Sequence, residues 1–125
     1  MAVDLTARIG SVVLPNPIMT ASGTAGHGGE LSAYLDLGRL GAVVTKSVSA
    51  APWAGNPAPR IHATAAGMLN SVGLQNPGVE AWLADDLPVL AAAGARVVAS
   101  IWGFRIDDYG RVAEALAEAG PGPVV

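Results

Sequence analysis

The chain has 125 residues, of which 51% are hydrophobic and 14% are charged, and its formal net charge at pH 7 is −3. This balance provides no basic surface, so we expect no nucleic-acid partner. The sequence contains no Cys, which excludes disulfide frameworks, cysteine-ligated zinc or iron–sulfur sites and cysteine nucleophiles within these residues.

Charged residues, Pro and Gly interrupt every apolar stretch, whereas a membrane-spanning helix needs roughly 18 or more consecutive apolar residues. The N-terminus also lacks the basic stretch and apolar stretch that are typical of a signal peptide. We therefore predict a cytoplasmic protein with no membrane partner.

The first half of the chain alternates between apolar segments and loops. Residues 3–14 predict a small hairpin that turns at Gly10 and Ser11. Residues 18–21 predict a short strand, and a Gly-rich loop follows it. Residues 30–37 predict a helix with its leucines on one face. Residues 41–46 predict a strand that is buried on both sides.

The second half begins with a long segment, residues 49–78, that is punctuated by Pro, Gly and Asn and lacks a strong periodic pattern. A segment of this kind in a compact domain indicates a structured functional loop. A helix is expected from Pro77 to about Ala93. A strand over 96–101, a helix over about 107–119 and the start of a further strand at Pro123 complete the chain.

The order of elements predicts an α/β fold, because strands that alternate with helices form a parallel sheet with right-handed crossovers. Three such units do not close a barrel. We therefore predict the N-terminal half of a (β/α)8 TIM barrel with a small N-terminal β-hairpin. Residues 1–125 would form the N-terminal part of one domain, truncated near the start of the fourth barrel strand.

Functional groups of parallel α/β folds collect at the carboxyl ends of the strands and in the loops that follow. Lys46 is the only lysine beside six arginines, and it lies at the end of a predicted buried strand. Its compact ammonium group is suited to stabilising an anion. The candidate residues after the three strands are Ala21, Ser22, Gly23 and Thr24; Thr45, Lys46 and Ser47; and Ser100, Trp102 and Gly103.

The long loop supplies further polar groups between Asn70 and Gly78. The amides of Asn70 and Asn76 offer donors and acceptors that suit a ring with alternating C=O and N–H groups. Small residues after the first strand allow backbone N–H groups to approach a flat or anionic ligand. Together these features predict a site for a polar, planar, negatively charged molecule.

Simpler interpretations exist for several of these residues. Ser22-Gly23-Thr24 also fits an ordinary turn, and Asn76-Pro77-Gly78 fits a helix start in any protein. His27 and His62 are expected to be loop histidines, since no acid or second histidine is suitably spaced for a metal site. The three tryptophans are expected to serve packing, although Trp102 follows a strand end and could border a ligand.

Four stretches resemble the dihydroorotate dehydrogenase family: residues 16–24, 41–46, 55–60 and, most specifically, Gly67-Met-Leu-Asn-Ser-Val-Gly-Leu-Gln-Asn-Pro-Gly78. The resemblance extends over essentially the whole chain. Among the subclasses, the sequence is most similar to the catalytic subunit of the NAD-linked class 1B enzymes. The resemblance implies an FMN-containing (β/α)8 barrel that oxidises (S)-dihydroorotate to orotate in pyrimidine biosynthesis, with hydride passing to FMN.

The resemblance also implies roles for individual residues. Lys46 would stabilise negative charge electrostatically and contact both FMN and orotate. The other implied cofactor-binding residues are Ala21, Ser22, Ser47 and Ser100. The implied substrate-binding residues, besides Lys46, are Asn70, Ser71, Val72, Gly73 and Leu74. No metal is expected, and an electron-transfer subunit that carries FAD and [2Fe–2S] would be the partner of an oligomeric enzyme.

Two departures from the family pattern bear on these roles. Ser100 stands where many relatives have Asn, which changes the expected contact with FMN. The family's general base lies beyond residue 125, so residues 1–125 alone are expected to be inactive. Two alternatives remain from the sequence: a flavin-dependent dehydrogenase of another dihydropyrimidine, and a non-catalytic half-barrel that serves as a binding module.

Overall fold

A computed structural model describes residues 3–120. Its N-terminal element is the antiparallel hairpin of β1 (Ala7–Ile9) and β2 (Val12–Leu14), with Ala7 opposite Leu14. The predicted hairpin and its turn are therefore confirmed. Leu14 is only 2% exposed, so the end of the hairpin contacts the body of the protein.

Three segments run parallel, as the alternating pattern predicts. Met19 bridges to Ala42, β3 (Val43–Val44) pairs with β6 (Val97–Val98), and Val48 bridges to Ile101. The formal strands are shorter than predicted, but backbone hydrogen bonds such as Thr45 N–H to Val98 O at 3.1 Å extend the pairing. The strands of residues 3–120 do not form a closed barrel.

The pairing of Met19 with Ala42 requires two backbones to approach each other closely. Gly41 donates its N–H to Ile18 O at 2.8 Å. A Cβ on residue 41 would clash with the carbonyl oxygen of Asn16, which is backbone and cannot turn away. Gly is therefore required here to bring the first strand segment against β3.

The predicted helix over residues 30–37 is wrong. Two short 3-10 turns, Glu30–Ala33 and Leu37–Arg39, occupy this region. Asp36 is extended, with ψ at 109°, and its carboxylate accepts the N–H of Gly38 at 3.0 Å. A local Asp side-chain bond of this kind competes with helix propagation and begins a new turn.

The predicted helix after Pro77 is confirmed with an irregularity. α1 (Val79–Ala81) continues through a π turn (Trp82–Asp86) into α2 (Leu87–Ala92). Pro88 lacks the N–H that a regular helix would use, which accounts for a wider turn before it.

The helix predicted over about 107–119 is also confirmed, as α3 (Ile106–Glu118). The carboxylate of Asp108 accepts the N–H groups of Phe104 and Arg105, each at 3.1 Å. It therefore satisfies donors at the helix start that have no partner inside the helix. The strand predicted from Pro123 lies outside the described residues.

A second hairpin within the long segment was not predicted. β4 (Ile61–Thr64) pairs with β5 (Gly67–Asn70) in an antiparallel register that places Ile61 opposite Asn70. All eight residues are exposed, so no buried face imposes an alternating apolar pattern on the sequence. The usual period-two signal of a strand is absent for that reason.

The hydrophobic core lies between the parallel strands and the helices. Its most buried large side chains are Trp82, Leu37, Leu90, Val43, Val48, Val97 and Val112. The indole Nε1–H of Trp82 donates to the carbonyl of His27 at 2.8 Å. Among residues 3–120, no helix is both long and apolar enough to cross a bilayer.

Candidate active site

Polar residues that follow the three parallel segments meet at one end of the sheet. Ser22 Oγ donates to the carbonyl of Thr45 at 3.0 Å, and the hydroxyls of Ser47 and Ser100 lie 2.8 Å apart. The Lys46 N–H donates to the carbonyl of Gly26 at 2.9 Å. We call Ser22, Lys46, Ser47 and Ser100 the strand-end cluster; the structure brings these four predicted residues together.

Thr45 joins the two central strands beneath this cluster. Its side chain is 0% exposed, and its hydroxyl accepts the N–H of Ser100 at 3.4 Å. Lys46, the next residue, is only half-buried, and its ammonium group forms no salt bridge with any residue from 3 to 120. The strand therefore ends with a fixed backbone and a cation whose charge no carboxylate of the described chain neutralises.

The segment after the first strand forms a turn that is open to solvent. Thr24 donates both its N–H, at 3.1 Å, and its hydroxyl, at 2.6 Å, to the carbonyl of Ala21. Residues 21–24 are all exposed, and no atom lies within 4 Å of the position of a Cβ on Gly23. The turn interpretation is confirmed, and the same turn leaves open space at Gly23, next to Ser22.

The hydrogen bonds of the predicted substrate loop, Asn70–Leu74, are separate from those of the strand-end cluster. Asn70 is exposed at the end of β5, beside an open cleft of about 380 Å³ that also contains Arg60 and His62. Within the described part of the chain, no hydrogen bond joins this loop to the strand-end cluster.

Asn56 anchors the middle of that loop. Its side-chain amide donates to the carbonyl of Ser71 at 3.1 Å and to the hydroxyl of Ser71 at 2.9 Å. Its backbone N–H donates to Val72 O at 3.1 Å. The loop is thus attached to the preceding segment of the chain rather than to the sheet.

Asn76 has a structural role that the sequence pattern did not reveal. Its Oδ1 accepts the N–H groups of Ser49, at 3.0 Å, and Gly78, at 2.9 Å, while its Nδ2 donates to Leu74 O at 2.8 Å and to Ser49 Oγ at 2.9 Å. The residue is 5% exposed. Because all its polar groups have partners, the suggestion that Asn76 binds a ring is wrong.

His27, Glu30 and Asp86 line an open cleft of about 670 Å³ together with Trp53 and Asn76. Sequence spacing did not predict this group, since Asp86 comes from the distant π turn. Burial, followed by the positive charge of Lys46, lowers the pKa of His27 below its ordinary 6.5. The buried Nε2 of His27 has no hydrogen-bond partner among residues 3–120.

The two acids of this cleft differ in their electrostatics. Burial raises the pKa of Asp86. Burial alone would also raise the pKa of Glu30, but hydrogen bonds from backbone N–H groups, including those of Gly28 at 2.8 Å and His27 at 3.1 Å, lower it. The described residues contain no group of three or more His, Cys, Asp or Glu that could hold a metal ion.

Comparison with known proteins identifies the family. A family model described as "Dihydroorotate dehydrogenase" matches residues 4–121. The chain belongs to the dihydroorotate dehydrogenase family. The expected family resemblance is therefore confirmed over nearly the whole chain.

Several curated relatives within the dihydroorotate dehydrogenase family carry the same name. The protein "Dihydroorotate dehydrogenase B (NAD(+)), catalytic subunit" of Alkaliphilus oremlandii is 50% identical over 116 residues, which are 93% of this chain and 38% of the relative. The protein of that name from Desulforudis audaxviator is 52% identical over 116 residues, again 93% and 38%. The chain thus spans about 38% of the length of these relatives.

The match to the family model covers both regions of the predicted site, because residues 4–121 include the strand-end cluster and the loop Asn70–Leu74. The roles assigned to individual residues stay predictions. Sequence reasoning missed the buried Ser49–Asn76 contacts, the Glu30–Asp86 cleft and a cluster of three aromatic rings around Trp53.

Proposed function

We propose that this protein oxidises (S)-dihydroorotate to orotate in pyrimidine biosynthesis, with hydride passing to FMN. The observation that carries the proposal is the hydrogen bond of 2.8 Å between Ser47 and Ser100, beside Lys46, at the ends of paired parallel strands. This arrangement lies inside the stretch that matches the dihydroorotate dehydrogenase family, in the part of an α/β fold where ligands bind.

We further propose that the parallel segments around Met19, Val43 and Val97 are the first three strands of a (β/α)8 barrel. Their spatial order follows their order in the chain, with Met19 beside Ala42 and Val43 beside Val97. Such an order is expected of consecutive strands in a TIM barrel. Residues 1–125 would then belong to one FMN-binding domain.

The residues of the strand-end cluster fit FMN. Ser22, Ser47 and Ser100 supply hydroxyl groups that can donate or accept hydrogen bonds, and the open turn at Ala21 allows a flat ring to approach. Lys46 supplies a positive charge that no carboxylate of residues 3–120 neutralises. These five residues would hold the cofactor, and FMN, when bound, supplies the hydride acceptor.

Lys46 would act on the charge that develops during oxidation. Oxidation of the dihydropyrimidine would pass a hydride to FMN and a proton to a general base, so negative charge would develop on the cofactor, and the preorganised ammonium group of Lys46 would stabilise that charge. Thr45, which is completely buried, would keep the backbone of Lys46 in place. The amide of Asn70 and the backbone of Ser71–Leu74 would hold the carbonyl and N–H edges of the substrate.

A partner subunit is part of the proposal. The relatives named above are described as catalytic subunits of NAD(+)-linked enzymes. We propose that this protein likewise works in an oligomer with an electron-transfer subunit that carries FAD and [2Fe–2S]. NAD would be the final acceptor, and the cytoplasm would be the location.

An anaerobic titration tests the proposed reaction. The protein expressed from its complete reading frame is purified, its bound flavin is quantified by absorbance, and dihydroorotate is added. Bleaching of the oxidised-flavin absorbance is the expected result. A flavin that bleaches only with another dihydropyrimidine would change the substrate. Absence of any flavin would contradict the proposal and favour a binding module.

A further inference from the structure

Three aromatic rings from two distant segments pack against one another next to the proposed site. The ring centroids of Trp53 and Trp102 are 5.0 Å apart, those of Trp102 and Phe104 are 4.7 Å apart, and those of Trp53 and Phe104 are 5.4 Å apart. These separations fall in the range in which aromatic pairs attract each other beyond simple burial. Phe104 is 73% exposed, whereas both tryptophans are half-buried.

Trp53 contacts the predicted substrate loop directly. A Cβ on Gly73 would lie 2.7 Å from Cη2 and 3.0 Å from Cζ3 of Trp53, so the six-membered ring rests against the backbone of residue 73. Gly73 also has a φ of +76°, a conformation that residues with a Cβ adopt rarely. The indole and the loop conformation therefore fit each other.

The backbone of Trp53 pairs with Asn76, two residues after the end of this loop. Its N–H donates to Asn76 O at 3.0 Å, and its carbonyl accepts the Asn76 N–H at 2.9 Å. Because Asn76 is itself buried and fully hydrogen-bonded, this pairing is a fixed base. The indole of Trp53 projects from that base against Gly73.

Trp102 belongs to the strand end that carries Ser100. Val48 donates its N–H to Ser100 O at 2.9 Å, and Trp102 donates its N–H to Val48 O at 3.0 Å. Residues two apart on an extended chain share a face, so the indole of Trp102 lies on the same side as the Ser100 hydroxyl. Its buried Nε1 has no partner among residues 3–120, so packing, not a hydrogen bond from this nitrogen, places the ring.

We infer that Trp53 and Trp102 are positioning residues that hold the loop Asn70–Leu74 against the strand end of Ser100, and so set the position of the dihydropyrimidine relative to the flavin. The inference rests on the proposed function. Within the described residues, the loop and the strand-end cluster share no hydrogen bond. The contact between the two indoles is a side-chain connection between them.

A double-mutant cycle in the complete protein tests this inference. Trp53→Leu and Trp102→Leu are each expected to raise the KM for dihydroorotate about tenfold, because small displacements of bound substrate are costly. The double variant is expected to raise KM about tenfold as well, rather than about a hundredfold, since both changes break one contact. FMN content and thermal midpoint are measured in each variant, and FMN content is expected to match that of the wild type.

Phe104→Leu is the matched control, because Phe104 belongs to the same aromatic cluster but is mostly exposed, and the atoms nearest to a Cβ on Gly73 belong to Trp53 and Asn56 instead. It is expected to change KM by less than about twofold. The inference is overturned if the effects of the two Trp changes on KM are additive, or if either change leaves KM unchanged. It is also overturned if Phe104→Leu raises KM as much as the Trp changes do.

A conservative variant keeps the test decisive if Trp53→Leu loses flavin. Trp53→Phe retains a ring against Gly73, so its KM is expected to lie between those of the wild type and Trp102→Leu. A KM above that of Trp102→Leu would overturn the inference. Failure of the wild type to bleach with dihydroorotate contradicts the proposed function instead, so the two failures are distinguishable.

Discussion

The strand-end cluster and the loop Asn70–Leu74 are both predicted to bind ligand, but different interactions hold them. The cluster stands on buried strands, where Thr45, Val48 and Val97 are all 0% exposed. The loop follows a hairpin that is exposed throughout, and hydrogen bonds to the side chains of Asn56 and Asn76 and to the carbonyl of Arg60 anchor it. Packing of buried strands therefore fixes the proposed cofactor side of the site, while hydrogen bonds, together with the ring of Trp53 against Gly73, fix the proposed substrate side.

The chemical contribution of the cluster is tested most strongly at Lys46. Lys46→Met is expected to slow flavin bleaching by dihydroorotate roughly 10²- to 10³-fold, the usual cost of removing one preorganised charge-stabilising group. Lys46→Arg is expected to restore little, because a planar guanidinium does not replace a compact ammonium. Stopped-flow absorbance measures the rate, and the flavin spectrum measures FMN content.

Arg8→Met provides a control of equal charge. Arg8 is an exposed residue of β1, so its removal is expected to leave the bleaching rate unchanged. A Lys46→Met protein that bleaches as fast as the Arg8→Met protein would remove Lys46 from the proposed chemistry.

The difference in packing predicts a large contrast in stability. Leu90→Ala is expected to lower the free energy of unfolding by about 2–5 kcal/mol, because it opens a cavity at a fully buried position. Met68→Ala, in the exposed hairpin, is expected to change it by less than about 0.5 kcal/mol. Urea unfolding of the complete protein measures both, and equal losses would contradict the division into packed and exposed regions.

The polar anchors of the loop should differ according to their burial. Asn76→Ala leaves the N–H groups of Ser49 and Gly78 without acceptors, so we expect a loss of about 2–3 kcal/mol. Asn56→Ala removes exposed hydrogen bonds, so we expect a loss below about 1 kcal/mol. Urea midpoints and amide hydrogen exchange measure these losses, and the reverse order would show that burial does not control the strength of the anchors.

The smallest expected effect is a pH dependence from His27, beside the cluster. Its folded-state pKa is lower than the ordinary 6.5, so the unfolded chain binds more protons between those two values. Stability is therefore expected to rise with pH through that window and to fall as the medium becomes more acidic. His27→Gln is expected to flatten this slope in urea titrations from pH 5 to pH 8, a range that surrounds the ordinary histidine pKa.

The carboxylates of Glu30 and Asp86 face the same imidazole and favour its charged form, against burial and Lys46. The comparison of wild type with His27→Gln isolates the histidine from them. A slope of the same size in both proteins would assign the pH dependence to other groups.

Local sequence patterns predicted the elements that local chemistry governs. The turn at Gly10, the helix after Pro77 and the helix over about 107–119 each depend on a few neighbouring residues. The predicted helix over 30–37 is wrong: a 3-10 turn ends at Ala33, and the Asp36 side chain begins a second turn by its bond to Gly38. The exposed hairpin β4–β5 was missed, because no buried face imposed a pattern on its residues.

The sequence by itself determined which residues carry polar groups at strand ends, since strand periodicity and chain order place Ser22, Lys46 and Ser100 there. Only the tertiary structure decided what those groups contact. Ser47 is hydrogen-bonded to Ser100, Asn76 is hydrogen-bonded to Ser49, and Trp53 packs on Trp102. These contacts join residues that are 27–53 positions apart. Contacts over such separations depend on how the strands and loops pack together, and no local pattern encodes that packing.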